Sequence, residues 1–493
     1  MLTLSLRNLK IKRMKVSIIG GGLAGWIAAI VLQRETSYKI TVIDSSSIGS
    51  LGVGESTTGR FSGFIRKYFK EEEFVEQCAA TPKLGIHFIN WNKDNFISPI
   101  EGSFSAHDEF DYSFYYGVEN NSVNDYSTHA LLSDRNLIDF SKKTTKNTFL
   151  SAESHAYHLD TYKTISFLKQ RGIGDGIEFI DAKVIGNEKK GGKVTKIKCE
   201  GMDIDCDFVV DCSGFKRVIA STYNPHFISY EKWLSVNTGL SFNLTWDDIE
   251  YTQPLTTAHA LSCGWMWMIP NHYSIGCGIV YDNNFASQDE IIKEVNDILG
   301  VEISIRKEIK FKSGRLRKSL YNNVAVIGPA YSFLEPLQAT SIHVTITQIE
   351  KLISFLSGHM SARFYNRYCG DMVDNYADFI SLHYQFKYHQ NEFWQSRVPR
   401  RYTSKMINRS KKKVLKTSDY TIKNPDCTAN NLWSYVLDGG NLITKSKATY
   451  SEEQISNIKY WEKQIQESVE ASMSFSSFLE MYNKVDVDVE LSA

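Results

Sequence analysis

The sequence lacks three things that would narrow its function quickly. No apolar stretch approaches the roughly 20 residues that cross a bilayer, so a membrane span is not expected. The eight cysteines (Cys78, Cys199, Cys206, Cys212, Cys263, Cys277, Cys369 and Cys427) are scattered, with no CxxC and no His/Cys cluster. That pattern argues against a disulfide framework and a metal site, and makes cytoplasm the expected compartment. There is also no excess charge of either sign: 56 basic residues face 56 acidic ones. Nucleic acid and anionic membrane are therefore poor candidates for the main partner, and the basic run ending at Lys411–Lys413 reads as a solvated face. A secretory signal is not expected at residues 1–22, because Arg and Lys interrupt the apolar residues before Met14 and no small-residue cleavage site follows. Residues 1–13 are expected to be a loosely ordered extension.

What is present is a long globular chain. It has 493 residues, 42% hydrophobic and 23% charged, which predicts two or three subdomains. Val16–Ile19 is a short apolar run of buried-strand type. Gly20, Gly22 and Gly25 then give G-x-G-x-x-G, an Ala-rich helical stretch follows, and a second strand over Ile40–Ile43 ends at Asp44, 19 residues after Gly25. Strand, glycine turn, helix, strand and acid in this order form a dinucleotide site. The glycines let backbone N–H groups approach a pyrophosphate, and Asp44 can accept from an adenosine ribose.

Three later segments favour FAD over NAD. Gly54-Glu55-Ser56-Thr57 belongs to a glycine-bearing loop where a flavin ring could lie. Phe208–Asp211 and Val324–Ile327 read as strands returning to the same parallel sheet, ending near Gly214 and Gly328. No second GxGxxG supplies a nicotinamide site, so reduced flavin is expected to arrive from outside. Residues 263–270, CGWMWMIP, read as a strand that places Trp265 and Trp267 on one face and stops at Pro270. Ordinary core wall is the plainer reading of that pair.

Taken together, GGGLAGW at 20–26, GVGEST at 52–57, PKLGIHFINW at 82–91, AYHLD at 156–160, DCSGF at 211–215, TAH at 257–259, WMWMIP at 265–270, GCGIVY at 276–281, GR at 314–315, FLEPLQATSIH at 333–343 and DFISLHY at 378–384 resemble the flavin-dependent halogenases of the tryptophan-halogenase type. The resemblance covers roughly residues 14–385. It implies an α/β fold: an FAD-binding Rossmann-type core over 14–390, an interleaved substrate-binding region at about 90–150 and 220–310, and a mainly helical C-terminal region over 391–493. It further implies that reduced FAD (FADH2) and O2 oxidise a halide ion to hypohalous acid, and that this oxidant passes through an internal tunnel to Lys83. The partners it implies are an electron-rich aromatic substrate and a separate flavin reductase, with a homo-oligomeric state. The abundant Asn, Lys and Tyr suggest an AT-rich genome, such as a phage's.

Lys83 sits in the apolar context Leu84-Gly85-Ile86, where desolvation would lower its pKa and free the amine. Outside the resemblance, a snorkelling surface lysine is the simpler reading. Thr340 and Ser341 match the segment whose amides hold halide at a helix start. Thr340 could equally serve as a plain cap of a helix over Ile342–Leu356. The chain departs from the family at Gln338, where a glutamate is usual. Gln338 can position by hydrogen bonds but cannot act as a general base, and a site lacking that carboxylate is expected to favour bromide or iodide over chloride. His107 and Phe110, in an aromatic-rich stretch, and Trp433 are candidates for the substrate pocket, with Trp265 and Trp267 as the barrier between flavin and substrate. The alternatives are a hydroxylating flavin monooxygenase and a catalytically lapsed flavoprotein.

Overall fold

The computed structural model describes residues 13–49, 55–100, 127–138, 155–248, 253–411, 430–443, 451–470 and 472–482. Gly54, His107 and Phe110 lie outside the described residues.

Two sheets organise the core. The first has six strands in the order Leu320–Tyr321, Val324–Val326, Phe208–Asp211, Lys15–Ile19, Lys39–Asp44 and Glu178–Asp181. All its pairs are parallel except the first. Its central strands are apolar and buried because helices cover the sheet. One of these is Leu23–Glu35, in which Gly25 through Leu32 are all buried. Gly25 is required by a close approach, since a Cβ there would lie 1.9 Å from the Gly20 carbonyl oxygen.

The second sheet has seven strands: Lys307–Lys310, Thr238–Leu244, Ile275–Tyr281, Gly264–Pro270, Leu255–Leu261, Gly85–Ile89 and Phe96–Pro99. It is antiparallel except where Leu255–Leu261 runs parallel to Gly85–Ile89. Every residue of Gly264–Pro270 is buried. The two tryptophans share a face, with ring centroids 5.9 Å apart, as the period of two demands. Trp267 packs onto Gly278, where a Cβ would meet its ring at 2.1 Å. Large-to-small loss of such a ring costs about 3–5 kcal/mol.

A third, small antiparallel sheet joins Glu55–Ser56, Ala156–Leu159 and Thr81–Lys83. After residue 391 the described chain is mainly helical (Glu392–Gln395, Arg401–Ser410, Asn430–Gly439, Glu452–Glu470 and Phe475–Tyr482), with one short strand at Met473–Ser474. No helix among the described residues is long and apolar enough to cross a membrane.

Candidate active site

Two cavities meet in the middle of the molecule. The larger, about 450 Å³, lies at the C-terminal edge of the six-stranded sheet, bordered by Gly20, Gly22, Asp44, Ser45 and residues Cys212–Lys216. The helix that follows Gly22 has no side-chain cap, so its first N–H groups are free for an anion. Nothing lies within 4 Å of a Cβ built on Gly22, which leaves room for a pyrophosphate. Asp44 stands over Gly21, its carboxylate 2.5 Å from where a Cβ would be. Gly20 and Gly25 shape the turn, and these residues fit the dinucleotide half of FAD. Asp211 reaches the same crevice indirectly. It is buried, and its carboxylate accepts from Ser213, Ile219 and Ala220 N–H groups at 3.1, 3.0 and 2.7 Å, holding the loop that borders the cavity. Gly328 borders neither cavity. It packs on Ala24 with a positive φ of 64°, and its neighbour Pro329 borders both.

The second cavity, about 210 Å³, is largely apolar and is lined by Trp265, Trp267, Leu240, Phe311, Phe333 and the turn Glu335–Ser341. Glu55, Phe215, Pro329, Ser341 and Ile342 border both spaces. Trp265 and Trp267 are thus a wall of the inner cavity, beside the dinucleotide crevice. Glu55 stands at the junction, and burial pushes its carboxyl up to about 7.

The turn before the helix Thr340–Leu356 bends sharply. Gln338 and Ala339 have positive φ values of 66° and 53°, a conformation that costs non-glycine residues about 1–3 kcal/mol each. The helix begins two residues earlier than the periodicity suggested. Its cap position is Ala339, with no side-chain cap bond, so Thr340 is not the helix cap. An uncapped helix start leaves its first amides without an intrahelical partner, and Thr340 and Ser341 both line the cavity wall. Gln338 also lines it, and its amide N lies 3.0 Å from His383 Nε2. Since His383 Nδ1 faces the carbonyls of Phe379 and Ile380 at 3.1 and 3.3 Å, Nδ1 carries the proton and Nε2 accepts from the Gln338 amide. Burial holds this imidazole down at about 4, so it is neutral.

Lys83 is fully buried and borders neither of these two cavities. Its strand and the strand that carries Ser56 lie on either side of Ala156–Leu159. Its Nζ donates to the Thr57 carbonyl at 3.1 Å. Thr57 is itself buried and is pinned from both sides by Tyr157: its N–H and hydroxyl donate to the Tyr157 carbonyl at 2.9 Å, and it accepts from the Tyr157 N–H at 2.8 Å. Of the expected flavin-loop residues, Thr57 therefore serves Lys83 and Glu55 the cavity junction. Ser56 lines the inner cavity and shares a 2.9 Å hydrogen bond with Thr256. Desolvation alone lowers Lys83 to about 7, the direction its apolar sequence context implies. His158, hydrogen-bonded to Thr256 at 2.9 Å, stays neutral because burial depresses it, as does Lys83 whenever that amine is protonated. Its AYHLD segment stood in the sequence, but nothing there singled out the histidine. Glu335, part of the EPL element and given no role from the sequence, lines the inner cavity. Trp433 is fully buried against Phe379 and Tyr402, with ring centroids 5.2 and 5.8 Å away, and lines neither cavity. Its helix turns it into the core instead of over an open pocket. No group of three His, Cys, Asp or Glu that could hold a metal occurs among the described residues.

The crevice, the uncapped helix and Asp44 define a dinucleotide-binding α/β enzyme with an enclosed second chamber. The tryptophan halogenase family profile matches residues 15–454, and the chain belongs to that family of flavin-dependent halogenases. It is 27% identical to the tryptophan 7-halogenase of Lentzea aerocolonigenes, over 78% of each chain. It is 30% identical to the tryptophan 6-halogenase of Streptomyces toxytricini, over 75% of this chain and 78% of that one. Among solved structures, the tryptophan C-6 flavin-dependent halogenase of taromycin biosynthesis superposes with a TM-score of 0.85 at 23% identity, covering 96% of this chain and all 100% of that one. A flavin-dependent halogenase from Brevundimonas sp. BAL3 does so with a TM-score of 0.81 at 24% identity, covering 95% and 99%.

Proposed function

We propose that the protein uses reduced FAD, O2 and a halide to halogenate an electron-rich aromatic compound of indole, phenol or pyrrole type, with Lys83 presenting the oxidant. The observation that supports this best is Lys83 itself: a fully buried amine, lowered to about 7, with a neutral His158 nearby. A structural lysine gains nothing from such a place, whereas an amine that must bind or donate to hypohalous acid needs it.

Gly20, Gly22, Gly25 and Asp44 would hold the cofactor, which when bound and reduced supplies, with O2, the oxidation of halide to hypohalous acid. The free amides at Thr340 and Ser341 would hold the halide. Trp265 and Trp267 wall a chamber that admits the small oxidant and excludes the aromatic substrate. Lys83, anchored by Thr57, would then orient the oxidant toward the substrate ring. Gln338, tied to neutral His383, positions groups and takes no proton. The enzyme would draw reduced flavin from a separate reductase, and bromide or iodide would serve it better than chloride. The tryptophan halogenases it resembles bring indoles into the test panel.

The test is incubation with reduced FAD, O2 and each halide against a panel of indoles, phenols and pyrroles, read by mass spectrometry. Halide-dependent products that vanish in Lys83→Ala, with FAD binding retained, are expected. Hydroxylated, halide-independent products would establish a monooxygenase instead.

A further inference from the structure

One buried carboxylate on the inner cavity is only half satisfied. Glu335 is 3% exposed and forms part of the cavity wall. Its Oε1 accepts from the Tyr384 hydroxyl at 2.8 Å and from the Trp265 indole N–H at 3.2 Å. Its Oε2 is buried and has no hydrogen-bond partner. A bare buried acceptor is costly and calls for an explanation. The wall around it, largely Trp, Leu and Phe, supplies no donor that reaches it, and Arg397 acts on it only through space. Oε2 itself has almost no accessible surface, but Glu335 belongs to the cavity wall, so a small turn of its carboxyl brings this oxygen to a hydrogen donor that enters the cavity.

We propose that Glu335 Oε2 is a docking point for hypohalous acid inside the cavity, accepting the hydrogen of HO–X and holding the oxidant near the Thr340–Ser341 segment before it passes on to Lys83. This rests on the halogenase reading above. The contact makes and breaks no covalent bond: X stays on oxygen until it is transferred. A carboxylate suits the task because it accepts strongly without offering the electron-rich ring or sulfur that an electrophilic halogen attacks. By the same contact network, Glu335 fixes the indole edge of Trp265.

Glu335→Gln separates this role from a structural one. The amide oxygen can take both bonds made by Oε1, so Tyr384 and Trp265 keep their partner while an NH2 donor replaces the acceptor at the cavity. The holoenzyme would be supplied with reduced FAD and bromide at pH 8. There the wild-type carboxyl, which burial pushes up to about 7, is mainly ionised. Brominated arene is compared with bromination of phenol red, a dye in bulk solution that reports escaped oxidant. The expected result is a rise of about tenfold in the ratio of dye to arene bromination, with FAD affinity by fluorescence titration and the thermal midpoint unchanged. Tyr384→Phe, which removes a bond to Oε1 and leaves Oε2, should keep the wild-type ratio. An unchanged ratio in Glu335→Gln, or an equal rise in Tyr384→Phe, overturns the docking role while leaving the enzyme a halogenase. A wild-type protein that brominates neither arene nor dye overturns the halogenase reading itself.

Discussion

Lys83→Met should make the protein more stable while abolishing its chemistry. In the unfolded chain the amine holds its proton up to the ordinary lysine value of 10.5; in the folded protein it holds it only up to about 7. Between those values the unfolded state binds more protons than the folded one, so stability rises with pH, and below about 7 it sits at its lowest level. The gap corresponds to roughly 5 kcal/mol. The bond from Nζ to the Thr57 carbonyl returns about 1 kcal/mol of that, and methionine fills a similar volume without charge. The expected gain at pH 7 is therefore about 2–4 kcal/mol, shrinking as pH rises toward 9. Urea unfolding at pH 6, 7, 8 and 9, followed by tryptophan fluorescence, measures both quantities. A Met variant that is no more stable at pH 7, or that keeps the wild-type pH slope, would show that Lys83 is not the desolvated amine described above. The wild-type halogenation rate should mirror this titration, rising with pH through about 7 as the free amine forms.

Asp44→Ala should weaken FAD binding about tenfold, through loss of charged hydrogen bonds, in a flavin fluorescence titration. Gln338→Glu would place a carboxylate against the Nε2 lone pair of His383, so the imidazole should gain a proton. Its pKa should rise from about 4 by about 1–3, read by 15N NMR of labelled histidine. Gly278→Ala should cost about 1–3 kcal/mol in thermal or urea unfolding, because its methyl would overlap the Trp267 ring. The displaced indole should also shift its fluorescence maximum.

Legibility in the sequence followed the range of the interactions. The strand–turn–helix of Lys15–Glu35 and the shared face of Trp265 and Trp267 were readable because both depend on a local period and on glycines a few residues apart. The anchoring of Lys83 was not. It depends on three short strands, from residues 55, 81 and 156 onward, meeting in one small sheet, and no local pattern announces that meeting. Glu335 looked like any glutamate beside a proline; only the packing of Tyr384 and Trp265 against one oxygen shows that the other is bare. Trp433 was assigned to the pocket on residue type. Which face its helix turns inward is decided by Phe379 and Tyr402, and this sends it into the core.

The strand Gly85–Ile89 begins two residues after Lys83 and pairs in parallel with Leu255–Leu261. That register imposes a timetable on biosynthesis. The segment bearing Lys83 leaves the ribosome long before Leu255–Leu261 exists, by about 10–30 s at usual elongation rates. Until Leu255 emerges, the segment next to Lys83 has only Phe96–Pro99 beside it and lacks its second sheet neighbour, so the amine can remain hydrated and charged. Desolvation of the lysine is thus a late event of folding, and a nascent chain halted before residue 255 has no second sheet on which to complete the chamber. Slow closure of such a long-range parallel pairing would make maturation of the site, more than formation of the cofactor crevice, the step most exposed to aggregation and most dependent on chaperones.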